Sequence, residues 1–230
     1  MLQIDSICKD YNRGRSVVHA LRPTSFNVAG GDFIAIVGPS GSGKSTLLSM
    51  IGGMLSPTSG RVIFERQSLY EINVKQRSRL RNEQIAFLFQ SFNLVPYLSA
   101  IENVQLPMAL HGTDRVSQQN RAQHLLERFG LGKRLDHKPT ELSAGQQQRV
   151  AMARTLAMEP NLILADEPTG NLDSESRDLV LRTLHELCDE GRTIILVTHD
   201  ATISASAHRS FHISDGHTTE GSLNRSCDAA

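Results

Sequence analysis

A chain of 230 residues is long enough for one large α/β core, and its 24 lysines and arginines balance 24 aspartates and glutamates, so no global field draws it to nucleic acid or anionic lipid. Cys8, Cys188 and Cys227 lie far apart without Cys-x-x-Cys spacing, which argues against a disulfide framework or a zinc site and fits a reducing cytosol. No apolar run approaches the roughly 20 residues that span a bilayer, and Met1-Leu2-Gln3-Ile4-Asp5 lacks the flank of a secretion signal; the expectation is a soluble intracellular chain.

Residues 2–8 and 17–28 alternate in part as strands do, and the polar stretch from Lys9 to Gly14 places Tyr11 on a loop or strand end of an antiparallel edge. Gly30-Gly31-Asp32 turns the chain into the apolar run Phe33–Val37, which a glycine-rich turn joins to a helix from Lys44 to Gly52-Gly53. Pro57–Gly60 reads as a turn and Arg61–Phe64 as an edge strand. Residues 71–83, with Lys75, Arg77, Arg79 and Arg81, read as a solvated helical face. Ile85–Phe89 is an apolar strand ending at Gln90, and Ser91–Leu98 is apolar but broken by Pro96.

From about Ala100 to Ala157 the pattern is helical, with Ala122, Leu125, Leu126 and Phe129 at helical spacing and Gly130 and Gly132 as stops. Asn161–Ala165 is a buried strand running into Asp166-Glu167-Pro168. A helix over 175–190 buries Leu179, Val180, Leu184 and Leu187, and Thr193–Val197 is a further strand running into Thr198-His199-Asp200. His208, His212 and His217 match no metal spacing and read as surface, and the chain beyond His217 reads as a frayed tail. Strands alternating with helices imply a mostly parallel central sheet. The expected division is a core of 1–90 and 158–217 that includes the antiparallel part, an inserted helical lobe over 91–157 and a tail over 218–230.

Three strands end in groups suited to one chemistry, and in an open parallel sheet the ligand crevice lies at those ends. Gly38-Pro39-Ser40-Gly41-Ser42-Gly43-Lys44-Ser45-Thr46 fits a phosphate cradle: glycines let backbone N–H groups converge on an anion, and the helix start adds its positive end. Lys44 suits the outer phosphates of a nucleoside triphosphate and Ser45 a Mg²⁺ ion. Asp166 suits that metal, and Glu167 is placed to orient or deprotonate an attacking water. His199 suits a γ-phosphate contact, and Gln90 the water or the metal. Ser143-Ala144-Gly145-Gln146 at a helix start is either an ordinary cap or a second anion site; one nucleotide cannot easily use two helix starts in separate lobes, so the second serves a nucleotide held by another copy.

Together these residues resemble the nucleotide-binding subunit of ATP-binding-cassette (ABC) transporters over nearly the whole chain. Gly38–Thr46 is similar to its Walker A loop, Leu164–Thr169 to Walker B, and Leu142–Arg149 to its signature motif. Gln90, Asn171-Leu172-Asp173 and His199 resemble the Q-, D- and H-loops, and Tyr11 the aromatic that stacks on adenine, with Val18 as the alternative apolar contact. Ala165–Asp173, and Phe92-Asn93-Leu94 followed by Glu102-Asn103-Val104, look most like the subfamily serving lipoprotein release, macrolide and peptide export and cell division. One departure is Ala144, where the usual signature has glycine.

The resemblance implies a P-loop NTPase of ABC type: a mostly parallel sheet, an antiparallel β edge and an inserted helical subdomain. It implies a homodimer that sandwiches two Mg·ATP head to tail, and integral membrane permease partners moved by closure and hydrolysis. It places the chain on the cytoplasmic face of the inner membrane, with no nucleic-acid partner; a non-transport ABC ATPase in cofactor assembly or on nucleic acid is the alternative. Phe92–Leu98 is expected either to dock the membrane partner or to be lobe core.

Overall fold

In the computed structural model, which describes residues 1–14, 16–170 and 172–221, the chain begins with a long antiparallel pair, β1 (Leu2–Arg13) and β2 (Ser16–Val28). Near its far end β2 alternates strictly, with Thr24, Phe26 and Val28 buried and the residues between them exposed. After β3 (Phe33–Val37) and α1 (Lys44–Ile51), β4 (Ser59–Phe64) pairs with the first half of β1 and with the two-residue β5 (Gln67–Ser68), which makes a four-stranded antiparallel sheet. β4 is therefore an inner strand of this sheet.

Then follow α2 (Val74–Gln84), β6 (Ile85–Phe89), and the helices α3 (Ala100–His111), α4 (Arg115–Arg128) and α5 (Ala144–Leu156). The chain returns through β7 (Leu162–Asp166), α6 (Ser174–Asp189), β8 (Thr193–Thr198), α7 (Ala201–Ala205), β9 (Arg209–Ser214) and β10 (His217–Glu220). The second sheet has six strands in the order β10-β9-β3-β8-β7-β6, parallel throughout except for β10.

The inner strands β3, β7 and β8 are buried on both faces, which is why they read as almost unbroken apolar runs, whereas β9 alternates and β10 is largely exposed. Strand periodicity divides their side chains: Ile34, Ile36, Leu162, Leu164, Ile195 and Val197 face a core shared with α1 and the antiparallel sheet. Phe33, Ile163, Ala165, Ile194 and Leu196 face the opposite core, shared with α3–α6. On α6, Val180, Leu184 and Leu187 are buried as expected, joined by Thr183 and Cys188, while Leu179 is half-buried.

Besides β4, expected as an edge strand, three stretches are corrected or decided between alternatives. Of loop or strand end, the second holds for Tyr11: β1 runs on to Arg13 before the turn at Gly14, and Tyr11 pairs with Val18 near the end of a two-stranded ribbon. The ribbon extends past β4, so Tyr11, Asn12, Val17 and Val18 are all exposed and no burial alternation marks the strand. Residues 217–220 are not frayed: they form β10 against β9 through a two-residue hairpin loop, Asp215-Gly216, with φ of 48° and 77° at its two positions. Asp-Gly is favoured in such a loop because both residues tolerate positive φ. Residues 222–230 of the expected tail lie outside the described residues. Finally, of the two alternatives for Phe92–Leu98, Phe92 and Leu94 take that of lobe core and pack against the helices, while Asn93, Pro96 and Tyr97 are exposed.

Candidate active site

The register of the parallel sheet brings the expected groups to one level. Val37 is opposite Thr198, Val197 opposite Asp166, and Asp166 opposite Phe89. Gly38, Glu167, His199 and Gln90 therefore leave the sheet at its carboxyl edge, where the helices start.

The turn after β3 is shaped by close approaches that only glycine allows. A Cβ on Gly38 would stand 2.0 Å from the Ile213 carbonyl oxygen, and one on Gly43, at φ 108°, 2.3 Å from that of Ala20. The loop is thus wedged between β9 and β2 before α1 begins. Gly43 is the N-cap of α1 and supplies no side-chain hydrogen bond, and the first turn holds no acidic residue. The other α-helices among the described residues all carry a side-chain cap: Asn73, Ser99, Asp114, Ser143, Asp173 and Asp200. α1 therefore opens toward the sheet edge with backbone N–H groups that no side chain answers.

Lys44 adds a cation at the same place. It is 6% exposed, and its Nζ donates to the carbonyl oxygens of Gly38 (2.9 Å) and Pro39 (2.8 Å), with no carboxylate at ion-pair distance. The buried Ser42 Oγ has no hydrogen-bond partner. A buried cation answered only by carbonyls, an orphan hydroxyl and an uncapped helix start form a donor set that fits a polyphosphate.

Ser45 Oγ donates to Asp166 Oδ1 at 3.2 Å. Burial pushes the Asp166 carboxyl above its ordinary range, the Ser45 bond opposes that, and the negative charge of Glu167 adds to it. Its ionised form is thus under-compensated by protein groups alone, as suits a site for a hard cation.

Glu167 has a φ of 45°; its N–H donates to the Val197 carbonyl, and its own carbonyl accepts from Gly170. Its Oε2 lies 3.2 Å from His199 Nδ1, with the histidine side chain 68% exposed and the carboxylate 26%. Gln90 reaches the same loop from β6: a Cβ on Gly170 would stand 2.7 Å from its amide nitrogen.

Tyr11 (41% exposed) and Val18 (44%) are cross-strand partners, so the two alternatives for an adenine contact are neighbours. Ala20, whose carbonyl abuts Gly43, lies two residues further along β2.

Ser143, Ala144, Gly145 and Gln146 are not brought to this cradle. Ser143 Oγ accepts from the Gln146 N–H at 3.3 Å, and the Gln146 side chain accepts from the Ser143 N–H at 3.0 Å, so the stretch is a capping box opening α5. Ser143 and Ala144 are exposed, and Ala144 is the first residue of α5, where the extra methyl is accommodated at helical φ. Gly145 faces the start of α6: a Cβ there would meet Ser176 Oγ at 2.2 Å. Asp173 caps α6 through the Ser176 N–H at 2.8 Å, which holds its carboxyl below the usual range. Asn171 lies outside the described residues.

Two buried polar contacts near the site were not legible in the sequence, where Asn103 and Gln148 stand only as members of motifs. Asn103, fully buried, accepts from the Val95 N–H and donates to the carbonyls of Val95, Leu98 and Ser99, while Arg154 donates to those of Phe92 and Asn93. Together they set the path of the chain after Gln90. The second is Gln148, also fully buried, whose amide donates to the Pro168 carbonyl at 2.7 Å. A glutamine inside a polar-looking helix start gives no hint of burial; only packing reveals it. His208, His212 and His217 are exposed on β9 and its surroundings, His208 Nδ1 accepting from the Phe33 N–H, and no metal-holding cluster occurs among the described residues.

A cradle built this way, followed by aligned Asp, Glu and His at strand ends, defines a nucleoside-triphosphate hydrolase site of the P-loop kind. Residues 21–170 match the family model described as "ABC transporter", and the chain belongs to that family as an ATP-binding and ATP-hydrolysing cassette. Among its relatives is the macrolide export ATP-binding/permease protein MacB of Syntrophobacter fumaroxidans, 48% identical over 94% of this chain but only 31% of that protein. The chain thus spans about a third of the length of such relatives. The lipoprotein-releasing system ATP-binding protein LolD of a Shewanella species (strain MR-4) is 41% identical over 94% of each chain. The dimeric post-hydrolysis structure of the ATP-binding cassette MJ0796, bound to ADP and Pi, superposes with a TM-score of 0.89 at 36% identity, covering 96% of this chain and 98% of that one.

Proposed function

We propose that this chain is the energy-converting subunit of a transporter in which two copies close head to tail on two Mg·ATP and thereby move membrane-embedded permease partners at the cytoplasmic face of the inner membrane. The observation that carries the reading is the separation of two helix starts, the uncapped start of α1 and the start of α5, whose Ser143 cap is exposed. α1 carries the buried Lys44, whereas α5 presents Ser143 and Gly145 away from it, and no hydrogen bond or ion pair joins Ser143–Gln146 to residues 38–46. A second copy supplies what one copy lacks, and the dimeric MJ0796 cassette, 37% identical, supports that assembly.

In this mechanism the N–H groups of residues 38–46 and the Lys44 ammonium hold the phosphate chain, and Ser45 and Asp166 hold Mg²⁺. The metal supplies charge neutralisation at the β- and γ-phosphates when bound. Glu167 accepts the proton of the attacking water, His199 fixes that carboxylate and the γ-phosphate, and Gln90 links the site to the chain that follows β6. Tyr11 and Val18 form the adenine platform. Tyr11→Ala is expected to weaken ATP binding by about 2- to 12-fold in equilibrium titration, because a stacked ring contributes roughly 0.5–1.5 kcal/mol beyond its burial.

The permease contact is assigned to a groove of about 540 Å³ between α2, β6, α3 and α5, floored by Ile85, Phe87, Leu106 and Pro107 and flanked by Arg81 and Leu110. Leu110 is 75% exposed there, which suits an apolar segment from another chain. No helix among the described residues is long and apolar enough to cross a membrane, so in this reading the partner supplies the spans. The transport class that the relatives' names support is macrolide export or lipoprotein release. Affinity purification of the chain from detergent-solubilised membranes is expected to bring down a polytopic membrane protein; recovery with soluble partners alone would favour the assembly-factor alternative.

A further inference from the structure

We infer that Gln148 is a positioning residue: its amide donor to the Pro168 carbonyl ties the orientation of Glu167 to the seating of the signature helix α5. The inference rests on the reading of Glu167 as the base that activates water.

Gln148 lies on α5, five residues after the Ser143 cap, and is fully buried. Its Nε2 donates at 2.7 Å to the carbonyl of Pro168, the residue bonded to Glu167. The other end of the amide, Oε1, is buried without a partner. A core amide satisfied at one end only is a poor stabiliser, since the unpaired acceptor carries its full desolvation cost. The end in use is the donor, and it is aimed at a loop that needs holding. Glu167 occupies the left-handed region at φ 45°, a conformation that a residue with a side chain keeps only when its surroundings impose it.

The other restraints on that loop come from the sheet side, through the Glu167 N–H on Val197, the Gln90 amide against Gly170 and His199 beside the Glu167 carboxylate, or from within the loop, through the Gly170 N–H on the Glu167 carbonyl. Gln148 alone among these comes from α5. In the head-to-tail dimer proposed above, the start of α5 meets the partner copy's nucleotide while Glu167 acts on the chain's own. The Gln148–Pro168 bond is then a direct link between the two sites within one chain.

Gln148→Met keeps the volume and removes the donor, and Gln148→Glu keeps the shape and donates only when protonated. With purified chains under steady-state ATP hydrolysis, Gln148→Met is expected to lower kcat by about 10- to 100-fold with KM for ATP unchanged, the effect of a misplaced catalytic group. Gln148→Glu is expected to approach parental turnover at acid pH and to lose it as pH rises, because burial raises the pKa of the introduced carboxyl and its ionised form cannot donate to Pro168. Asp166, Glu167, His199, Asp173 and Arg149 are common to both chains, so the ratio of the two pH profiles isolates the new group. Parental kcat in Gln148→Met, even with a lowered Tm, or a flat ratio across pH for Gln148→Glu, would overturn the inference. Glu167→Gln, assayed alongside, separates the failures: turnover at the parental rate in that variant removes the base reading itself, whereas its inactivity beside an unaffected Gln148→Met removes only the role of Gln148.

Discussion

Glu167→Gln is expected to bind ATP with parental affinity, to lose turnover by about 10²- to 10⁴-fold, and to accumulate as an ATP-loaded dimer. The phosphate cradle is built from residues 38–46 and Asp166, and none of them depends on the Glu167 charge for its place: Ser45 pairs with Asp166, and Lys44 with the Gly38 and Pro39 carbonyls. Glutamine preserves the shape of the side chain 3.2 Å from His199 but cannot take a proton from water. Replacing the carboxylate also removes the like charge that helps to raise the Asp166 pKa, so metal binding is not weakened. Phosphate-release kinetics and size-exclusion chromatography with and without ATP check both halves. Hydrolysis at the parental rate removes Glu167 from the mechanism, and a monomer that binds ATP but never dimerises removes the composite site.

Lys44→Ala is expected to raise the Kd for ATP by at least about 10- to 100-fold, because a hydrogen bond to a charged group contributes roughly 1.5–3 kcal/mol and the ammonium meets more than one phosphate oxygen. The same substitution is expected to leave the Tm of the nucleotide-free chain within a few degrees of the parent. Lys44 is a buried cation whose hydrogen-bond partners among the described residues are carbonyls, with Asp166 acting on it only through space, an arrangement that costs desolvation energy and stabilises the fold little. Binding energy and fold stability are thus separable at this residue. Thermal unfolding with and without ATP reads both: the parent gains Tm on saturation, while the variant loses the gain and keeps the baseline. A variant that still shows the full ATP-dependent shift would contradict the assignment.

Much of this molecule was legible in the sequence because parallel strands and phosphate loops carry local signatures. Phe33–Val37 and Leu162–Ala165 are covered on both faces, so each is an apolar run that ends near the sheet edge, and the residues that follow, Gly38 and Asp166-Glu167, emerge at that edge. Where burial is one-sided or absent, the signal fades. The β1–β2 ribbon around Tyr11 and Val18 is wet on both faces, so its strand character rests on pairing alone. The β9–β10 hairpin was announced by Asp215-Gly216 and passed over because the residues after it are small and polar. In Phe92–Leu98, apolar composition left docking surface and lobe core open, and Asn103 and Arg154 fold that segment back so that Phe92 and Leu94 meet the core. Those bonds join residues far apart in sequence or on a helix face that looks merely polar.

By itself, the sequence determined the glycine-rich turn into Lys44, the strands that end in Gln90, Asp166-Glu167 and His199, and the family with its ATPase activity, because each of these depends on a few consecutive residues and the backbone they dictate. Only the tertiary structure decided which groups share one site and which do not. The register of four parallel strands set Gln90, Glu167, His199 and Lys44 on one edge, while the packing of α5 against α6 and the Pro168 loop turned Ser143 away and buried Gln148 against the catalytic strand. Hydrogen-bond register and interhelical contact are relations between distant segments, and no stretch of sequence carries them alone.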